Sequence, residues 1–321
     1  MVESPRKIGV IIPCYKEKAH ILDVLSRIGP EVCIIVIVDD ACPDRTGSHV
    51  EHHCSDPRVS VLFNHRNLGV GGATLRGMVF LAERGIEVFV KIDGDGQMDP
   101  KEIQRLAAPI LSAEADYVKG NRFYFVEHIS AMPVVRRLGN IVLSFVTKLS
   151  TGYWNIFDPT NGFVAIHRLA FSLLPLNRIS KDFFFESSIL YHLYLTRAVV
   201  TEIPMIPRYF SEQSKLKPHK VIIPFIVHHL VNSFSRIVNM YFLRDFNMAS
   251  LYLIFGIVFL AFGSILGLIH WFHSVTTGIV ASSGTVMLAA LPIMLGFQCL
   301  LGFFNLDVAS IPKEPLCKKR L

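Results

Sequence analysis

The run Asp93-Gly94-Asp95-Gly96-Gln97 sets two carboxylates one residue apart, directly after the apolar stretch 88–92. Two carboxylates at the end of a strand can bind one hard cation, Mg2+ or Mn2+. Such ions take oxygen ligands and commonly keep substrate phosphates in their shell. The metal then acts as a Lewis acid and offsets charge as a diphosphate leaves. Two more acids, Asp39 and Asp40, close the β-branched run 32–38. Gly69-Val70-Gly71-Gly72-Ala73-Thr74 offers a glycine-rich helix start beside a nucleotide. It is not a dinucleotide fingerprint, because Thr74 holds the place of the last glycine and the turn does not follow the first strand. His49 and His53 have H-x3-H spacing, but no C-x2-C pair accompanies them, so a solvated helix is expected there rather than zinc.

These residues need a frame. Strands are expected over 8–13, 32–38, 59–63 and 88–92, with helices over 20–28 and 73–84 between them. That alternation predicts βαβ units and a parallel, helix-covered sheet. Ligands of such sheets bind at the carboxyl ends of the strands, which is where Asp39, Asp40, Asp93 and Asp95 stand. The following stretch is less regular. Strands are expected over 117–120, 164–166 and 198–203, an amphipathic helix over 136–149, a turn-rich loop over 158–163 and a helix over 183–195.

The chain of 321 residues is 51% hydrophobic and only 18% charged. The apolar excess is concentrated, since residues 249–306 contain no Asp, Glu, Lys or Arg. Residues 1–220 read as a soluble α/β domain, 221–246 as an amphipathic helix region at a bilayer surface, and 247–306 as two transmembrane helices. The spans are placed at about 249–272 and 284–304; the first is roughly 36 Å long as a helix, enough to cross a bilayer. Residues 307–321 form a basic tail. Lys215, Lys217, Lys220, Arg236 and Arg244 precede the first span, and Lys313, Lys318, Lys319 and Arg320 follow the second. The positive-inside rule puts both ends in the cytoplasm. The net charge of +6 is therefore read as attraction to a membrane rather than to nucleic acid. The six cysteines show no paired spacing and the first apolar run reads as a strand, so reduced thiols and no signal peptide are expected.

Several motifs occur in order: Ile12-Pro13-Cys14-Tyr15-Lys16-Glu17, Val38-Asp39-Asp40 with Pro43-Asp44-x-Thr46, and Asn67-x-Gly69-x-Gly71. After the Asp-x-Asp-x-Gln run come Gly120-x-Arg122, Asp158-Pro159-Thr160-Asn161-Gly162-Phe163, Glu202-Ile203-Pro204 and Ser214-Lys215. Together they resemble the family 2 glycosyltransferases of GT-A fold, in the branch of dolichol-phosphate mannose synthase and the bacterial polyprenyl-phosphate glucosyltransferases. The resemblance implies a Rossmann-like GT-A domain followed by the interface helix and the two spans. It implies that Pro13, Tyr15, Glu17 and Asp40 line the nucleoside pocket, with Gly69 and Gly71 beside the donor nucleotide. Asp93 would lie near the diphosphate, and Asp95 and Gln97, with Asp93, would hold the metal. Arg122, Arg136, Arg208 and Lys215 would bind phosphate groups of acceptor or donor. Lys16 departs from the family, which often has Asn there.

The reaction so implied moves a hexose from a nucleotide-sugar, a UDP-hexose or GDP-mannose, to a polyprenyl phosphate at the inner face of the cytoplasmic membrane, with inversion. A phosphate monoester is largely ionised near pH 7, its second pKa being about 6. The acceptor then needs positive charge and positioning more than a general base, and the arginine fork suits phosphate. Association of copies through the transmembrane helices is also expected. Two other readings stay open. A processive polysaccharide synthase would carry Q-x-x-R-W, yet neither Trp154 nor Trp271 follows an arginine. A non-enzymatic nucleotide-sugar-binding scaffold would not need Asp93, Asp95 and Gln97.

Overall fold

The structure, a computed structural model, describes residues 8–125, 134–206 and 218–318, without the side chains of 135, 136 and 218–222. Strand β1 (Ile8–Cys14) is buried along its whole length, which is why its sequence is a continuous apolar run rather than an alternating one. Strands β2 (Val32–Asp39) and β4 (Val88–Lys91) flank it in parallel, and β3 (Val59–Phe63) pairs in parallel with β2. Helices α1 (Ile21–Ser26), α2 (Thr46–His53) and α3 (Gly69–Glu83) make the crossovers. A further helix, α4 (Ile103–Leu111), lies outside the sequence expectation. Its Ile103, Leu106 and Ala107 join Val10, Ile12, Ile35, Val88 and Val90 in one core. Each fully buried Val, Leu or Ile among them contributes about 1.5–3 kcal/mol.

The second half adds β5 (Tyr117–Asn121), α5 (Val134–Thr151), β6 (Val164–His167), α6 (Arg168–Ser172), α7 (Phe185–Leu195) and β7 (Val200–Pro204). Among the described residues the sheet has the order β3-β2-β1-β4-β6-β5-β7. The parallel sheet expected from the strands over 8–92 holds for β1 to β4, whereas β6 runs antiparallel to both β4 and β5. The reversal has a use. It pairs Val164, the first residue of β6, with Lys91, the last of β4. The loop 158–163 before β6 is thereby delivered to the carboxyl end of β4, where the Asp-x-Asp run begins.

The chain forms two compact units, residues 1–233 with 312–321, and residues 234–311. Helix α8 (Pro218–Val238) runs across the boundary and starts before the interface helix read from the sequence. The second unit holds a π-helical turn at Asn239–Leu243, then α9 (Met248–Thr277) and α10 (Ser283–Ala309). Both are long and apolar enough to cross a membrane, and both exceed the lengths expected from hydropathy. They pack through small residues: a β-carbon on Gly263 would lie 2.6 Å from the Ala289 carbonyl oxygen. Arg236 is not one of the basic residues facing the cytoplasm, as the charge count assumed. It is buried in a two-pronged pair with Asp307 at 2.6 and 3.0 Å, and Tyr241 donates to the same carboxylate. Residues 312–318 belong again to the first unit, where the Leu316 amide donates to buried Asp116.

Candidate active site

The loops after β1 and β2 are tied together. The Asp40 amide donates to the Cys14 carbonyl at 3.1 Å, and the Lys16 amide to Cys42 Sγ at 3.0 Å. Lys16 has φ near 65°, a left-handed conformation that Asn adopts more readily than Lys. Asp39 accepts from the Cys42 and Gly47 amides, both at 2.7 Å, and so shapes the turn into α2. Asp40 accepts from Asn64 and from the Leu68 and Gly69 amides at 2.6–2.9 Å. It is buried and clamps the start of α3. Gly69, at φ +79°, would bring a β-carbon to 2.5 Å from the Lys181 carbonyl oxygen, and the Gly71 amide donates to that same oxygen at 3.0 Å. This packing accounts for both glycines without a ligand. Pro13 is buried at the end of β1, whereas Tyr15 is exposed and Glu17 half-buried.

The Asp-x-Asp loop leaves β4 under tight control. Lys91 and Asp93 are two residues apart in extended chain and share a face. Lys91 Nζ donates to Asp93 Oδ1 at 2.7 Å, to the Gly162 carbonyl at 3.3 Å and to Glu186 at 3.5 Å. Burial works against its ammonium, but Asp93 and Glu186 outweigh burial and hold its pKa above the usual lysine range. Gly162 is required by close approach, since a β-carbon there would sit 2.5 Å from Lys91 Nζ and 2.6 Å from Asp93 Oδ2. Gly94 packs on the other side, its missing β-carbon 3.3 Å from the Glu17 side chain. Asp95 and Gln97 are half-buried on the same loop, and the Gln97 amide donates to Asp95 Oδ1 at 3.0 Å.

A second polar cluster fixes the loop that Gly162 belongs to. Arg122 forks onto buried Asp158, with Nε and Nη2 each 2.8 Å from a different carboxylate oxygen, and its own amide also donates there. Glu202 accepts from the Phe157 and Asp158 amides and from Asn121. Burial raises the Glu202 pKa, with the two amides opposing. Asn161 donates to the Gly120 carbonyl, and fully buried Lys119 donates to the Asn161 carbonyl at 2.7 Å. Burial pushes Lys119 down to about 8, with Glu186, Asp158 and Glu202 only partly opposing it.

The comparison with known proteins decides what such a site belongs to. Residues 9–174, more than half of the chain, match Glycosyl transferase family 2. The chain is a family 2 glycosyltransferase. It is 28% identical to the UDP-N-acetylglucosamine–dolichyl-phosphate N-acetylglucosaminyltransferase of Methanococcus voltae, over 70% of this chain and 95% of that one. It is 30% identical to the polyprenol monophosphomannose synthase of Mycolicibacterium smegmatis, over 64% and 78%. Among solved structures it resembles glucosyl-3-phosphoglycerate synthase of Mycobacterium tuberculosis, crystallised with Mn2+, UDP-glucose and phosphoglyceric acid. That match has a TM-score of 0.52 at 18% identity, over 72% of this chain and 79% of that one, and speaks for the GT-A fold alone.

In this glycosyltransferase the structure gathers the ends of β1, β2 and β4 and the 158–163 loop into one region. The side chain of Arg136 and all of Arg208 and Lys215 lie outside the described residues. Sequence reasoning missed Lys91, Lys119 and Glu186. The signal for the two lysines was present, since each interrupts an apolar strand, in Val88–Lys91 and Tyr117–Asn121. Glu186 was visible only as an acid in a helix. Among the described residues no three or more His, Cys, Asp or Glu gather around a point where an ion would sit. The oxygens of Asp93, Asp95 and Gln97 are hard donors, of the kind that fits Mg2+ or Mn2+ and not a soft metal.

Proposed function

We propose that this glycosyltransferase moves a hexose from a nucleotide-sugar, with UDP-hexose favoured, to a polyprenyl phosphate at the cytoplasmic face of a membrane. One observation carries the reading: the Asp-x-Asp unit continues in the same chain into two helices long and apolar enough to cross a bilayer. The relatives support it, being named for transfer to dolichyl and polyprenyl phosphates; one of them, from Micrococcus luteus, is an undecaprenyl-phosphate mannosyltransferase. The name of the Methanococcus relative also supports a uridine donor.

Asp95 and Gln97, with Asp93, would hold Mg2+ or Mn2+, and a bound ion supplies charge neutralisation to the leaving diphosphate. Lys91 fixes the Asp93 carboxylate in place. Pro13, Tyr15, Glu17 and Asp40 line the nucleoside side of the site, Asp40 through the turn it holds. Arg122, Arg136, Arg208 and Lys215 supply the positive charge that brings a phosphate dianion up to an anionic donor, a matter of positioning and electrostatics. Arg122 would share its fork between Asp158 and that phosphate. Helices α9 and α10 span the membrane as a hairpin. The chain before residue 234 and the chain after residue 311 belong to the same compact unit, which supports placing both chain ends in the cytoplasm together with Lys313 and Lys318. Self-association would use the outward side chains of α9 and α10, and cross-linking in bilayers tests it.

A donor screen tests the whole reading. Full-length protein in lipid vesicles, given polyprenyl phosphate and Mg2+ or Mn2+, should release UDP from one UDP-sugar and form a lipid-linked monosaccharide. Longer sugar chains would support the polysaccharide synthase instead. No nucleoside diphosphate release from any donor, with binding intact, would support the scaffold.

A further inference from the structure

Helix α10 carries two seams. One is buried: Ala289, Gly296 and Phe303, spaced at sevens, face inward. A β-carbon on Gly296 would lie 2.8 Å from Leu260 of α9, so the hairpin uses this seam itself. The other runs through Met287, Leu291, Met294, Gln298, Leu301 and Asn305, all exposed. Their steps alternate between four and three residues, the heptad spacing of a coiled-coil seam. At 3.6 residues per turn, Gln298 stands about 200° round the helix from Gly296. Gln298 and Asn305 are amides at equivalent heptad positions. Gln298 lies about 22 Å along the helix from Ser283 and about 16 Å from Ala309, near the middle of the span. Among the described residues neither amide side chain has a hydrogen-bond partner. An amide facing acyl chains leaves its donors and acceptor unanswered, at a cost well above that at a water surface.

We infer that α10 pairs with α10 of a second copy of this chain along the exposed seam, so that the Gln298 amides of the two copies meet, and the Asn305 amides likewise. Two observations name a second copy as occupant. The first is self-complementarity. Every copy enters the bilayer in the same direction, so a two-fold axis between copies lies along the membrane normal and a residue meets its counterpart at the same depth. An amide both donates and accepts, and so closes a bond with its own kind. A charged residue would repel its counterpart, but the one charge on α10, Asp307, is buried in its pair with Arg236. Acyl chains offer neither donor nor acceptor. The second is shape. Beside the amides the hairpin surface is hollow, and Tyr252, Gln298, Gly302 and Asn305 border an open cavity of about 530 Å³. A side chain of a neighbouring helix fits there as a knob in a hole, and a polar residue at such a position fixes the register of the pair. The inference rests on the membrane placement proposed above and narrows self-association to one face of α10.

The test uses full chains in phospholipid vesicles, half labelled with a donor dye and half with an acceptor dye at the N-terminus. Energy transfer is followed as the protein is diluted into lipid. Saturable transfer is expected, and the double variant Gln298→Leu, Asn305→Leu should weaken association at least about fivefold, because two interhelical amide pairs are lost. Both substitutions make the span more apolar, so insertion is kept. On oxidation with copper phenanthroline, Met294→Cys, on the seam, should give more disulfide-linked dimer than the parent chain. Leu288→Cys, about 100° off the seam, should not. Absence of transfer in protein that resists carbonate extraction overturns this inference and leaves the membrane placement standing. Release of the protein by carbonate overturns both. Undiminished association of the double variant, or cross-linking through Leu288→Cys in place of Met294→Cys, also overturns it and moves the contact to another face.

Discussion

Replacing Lys91 by methionine removes one positive charge from the interior and little volume. The lysine stands 2.7 Å from Asp93 and 3.5 Å from Glu186. At an effective dielectric of about 20, those two attractions amount to about 6 and about 5 kcal/mol. The cost of holding an ammonium out of water, several kcal/mol, cancels much of this. Asp93 is 30% exposed at its side chain and recovers hydration when Lys91 is lost, but Glu186, at 11%, does not. The net loss is therefore about 3 kcal/mol, at the low end for breaking a buried pair. For a unit of this size that is a fall of roughly 6–12 °C in the thermal midpoint. Differential scanning fluorimetry of detergent-solubilised protein reads it. The double variant Lys91→Met, Glu186→Gln should recover part of the stability, because the stranded carboxylate is gone. Turnover should stay at least tenfold down in both variants, since Asp93 loses its anchor in each. A Lys91→Met protein within 2 °C and twofold of the parent would refute the reasoning. Equal stability of the single and double variants would remove Glu186 from it.

Three further outcomes are expected. Asp95→Asn keeps an oxygen for the Gln97 amide, so the protein should fold and insert normally but lose metal-dependent transfer; near-parental turnover with Mg2+ or Mn2+ would end the metal assignment. Arg122→Ala leaves buried Asp158 without its fork and should cost about 3 kcal/mol, and a double-mutant cycle with Asp158→Asn should show coupling of about 1–3 kcal/mol. Coupling near zero would free Arg122 from a structural role. His229, held down to about 4 by burial and then by His228, stays neutral in the fold while the unfolded chain takes up a proton below about 6.5. Stability is thus lost as pH falls from about 6.5 toward 4, by about 3 kcal/mol at pH 4.5, and His229→Gln should flatten that slope in midpoint measurements across pH 4.5–7.

Much of the frame was legible because its signals are local. A continuous apolar run that stops at acids marks β2 and β4 as buried parallel strands, and the acids then mark their carboxyl ends. The direction of β6 was not legible, because four buried residues read the same whichever way they run. Yet that direction brings Gly162 to Asp93. The motif around Asp158 could be read as a turn, but its carboxylate proves to fill the Arg122 fork, which a sequence shows only as an arginine near an element edge. Lys91 and Lys119 were readable in principle, since a lysine inside an apolar strand must find a partner. Asp93, two residues on, is a partner of Lys91 that strand period could give, but Glu186 lies 95 residues from Lys91 and Asn161 lies 42 from Lys119, and neither of those separations follows a helical or strand period. Helix α5 was recognised as amphipathic, but periodicity cannot say which face looks inward.

The bond between Asp116 and Leu316 joins residues 200 positions apart, and both apolar helices are made between them. At ribosomal rates of about 5–20 residues per second, Asp116 is synthesised roughly 10–40 s before its last partner. During that interval its carboxylate can hold the Val199 amide but has no Leu316 amide to receive. The turn that leads into β5 therefore gains its last bond only after translation has passed the hairpin. Completion of the catalytic unit becomes a report that α9 and α10 have been made, since a chain arrested before residue 316 cannot form the Asp116–Leu316 bond.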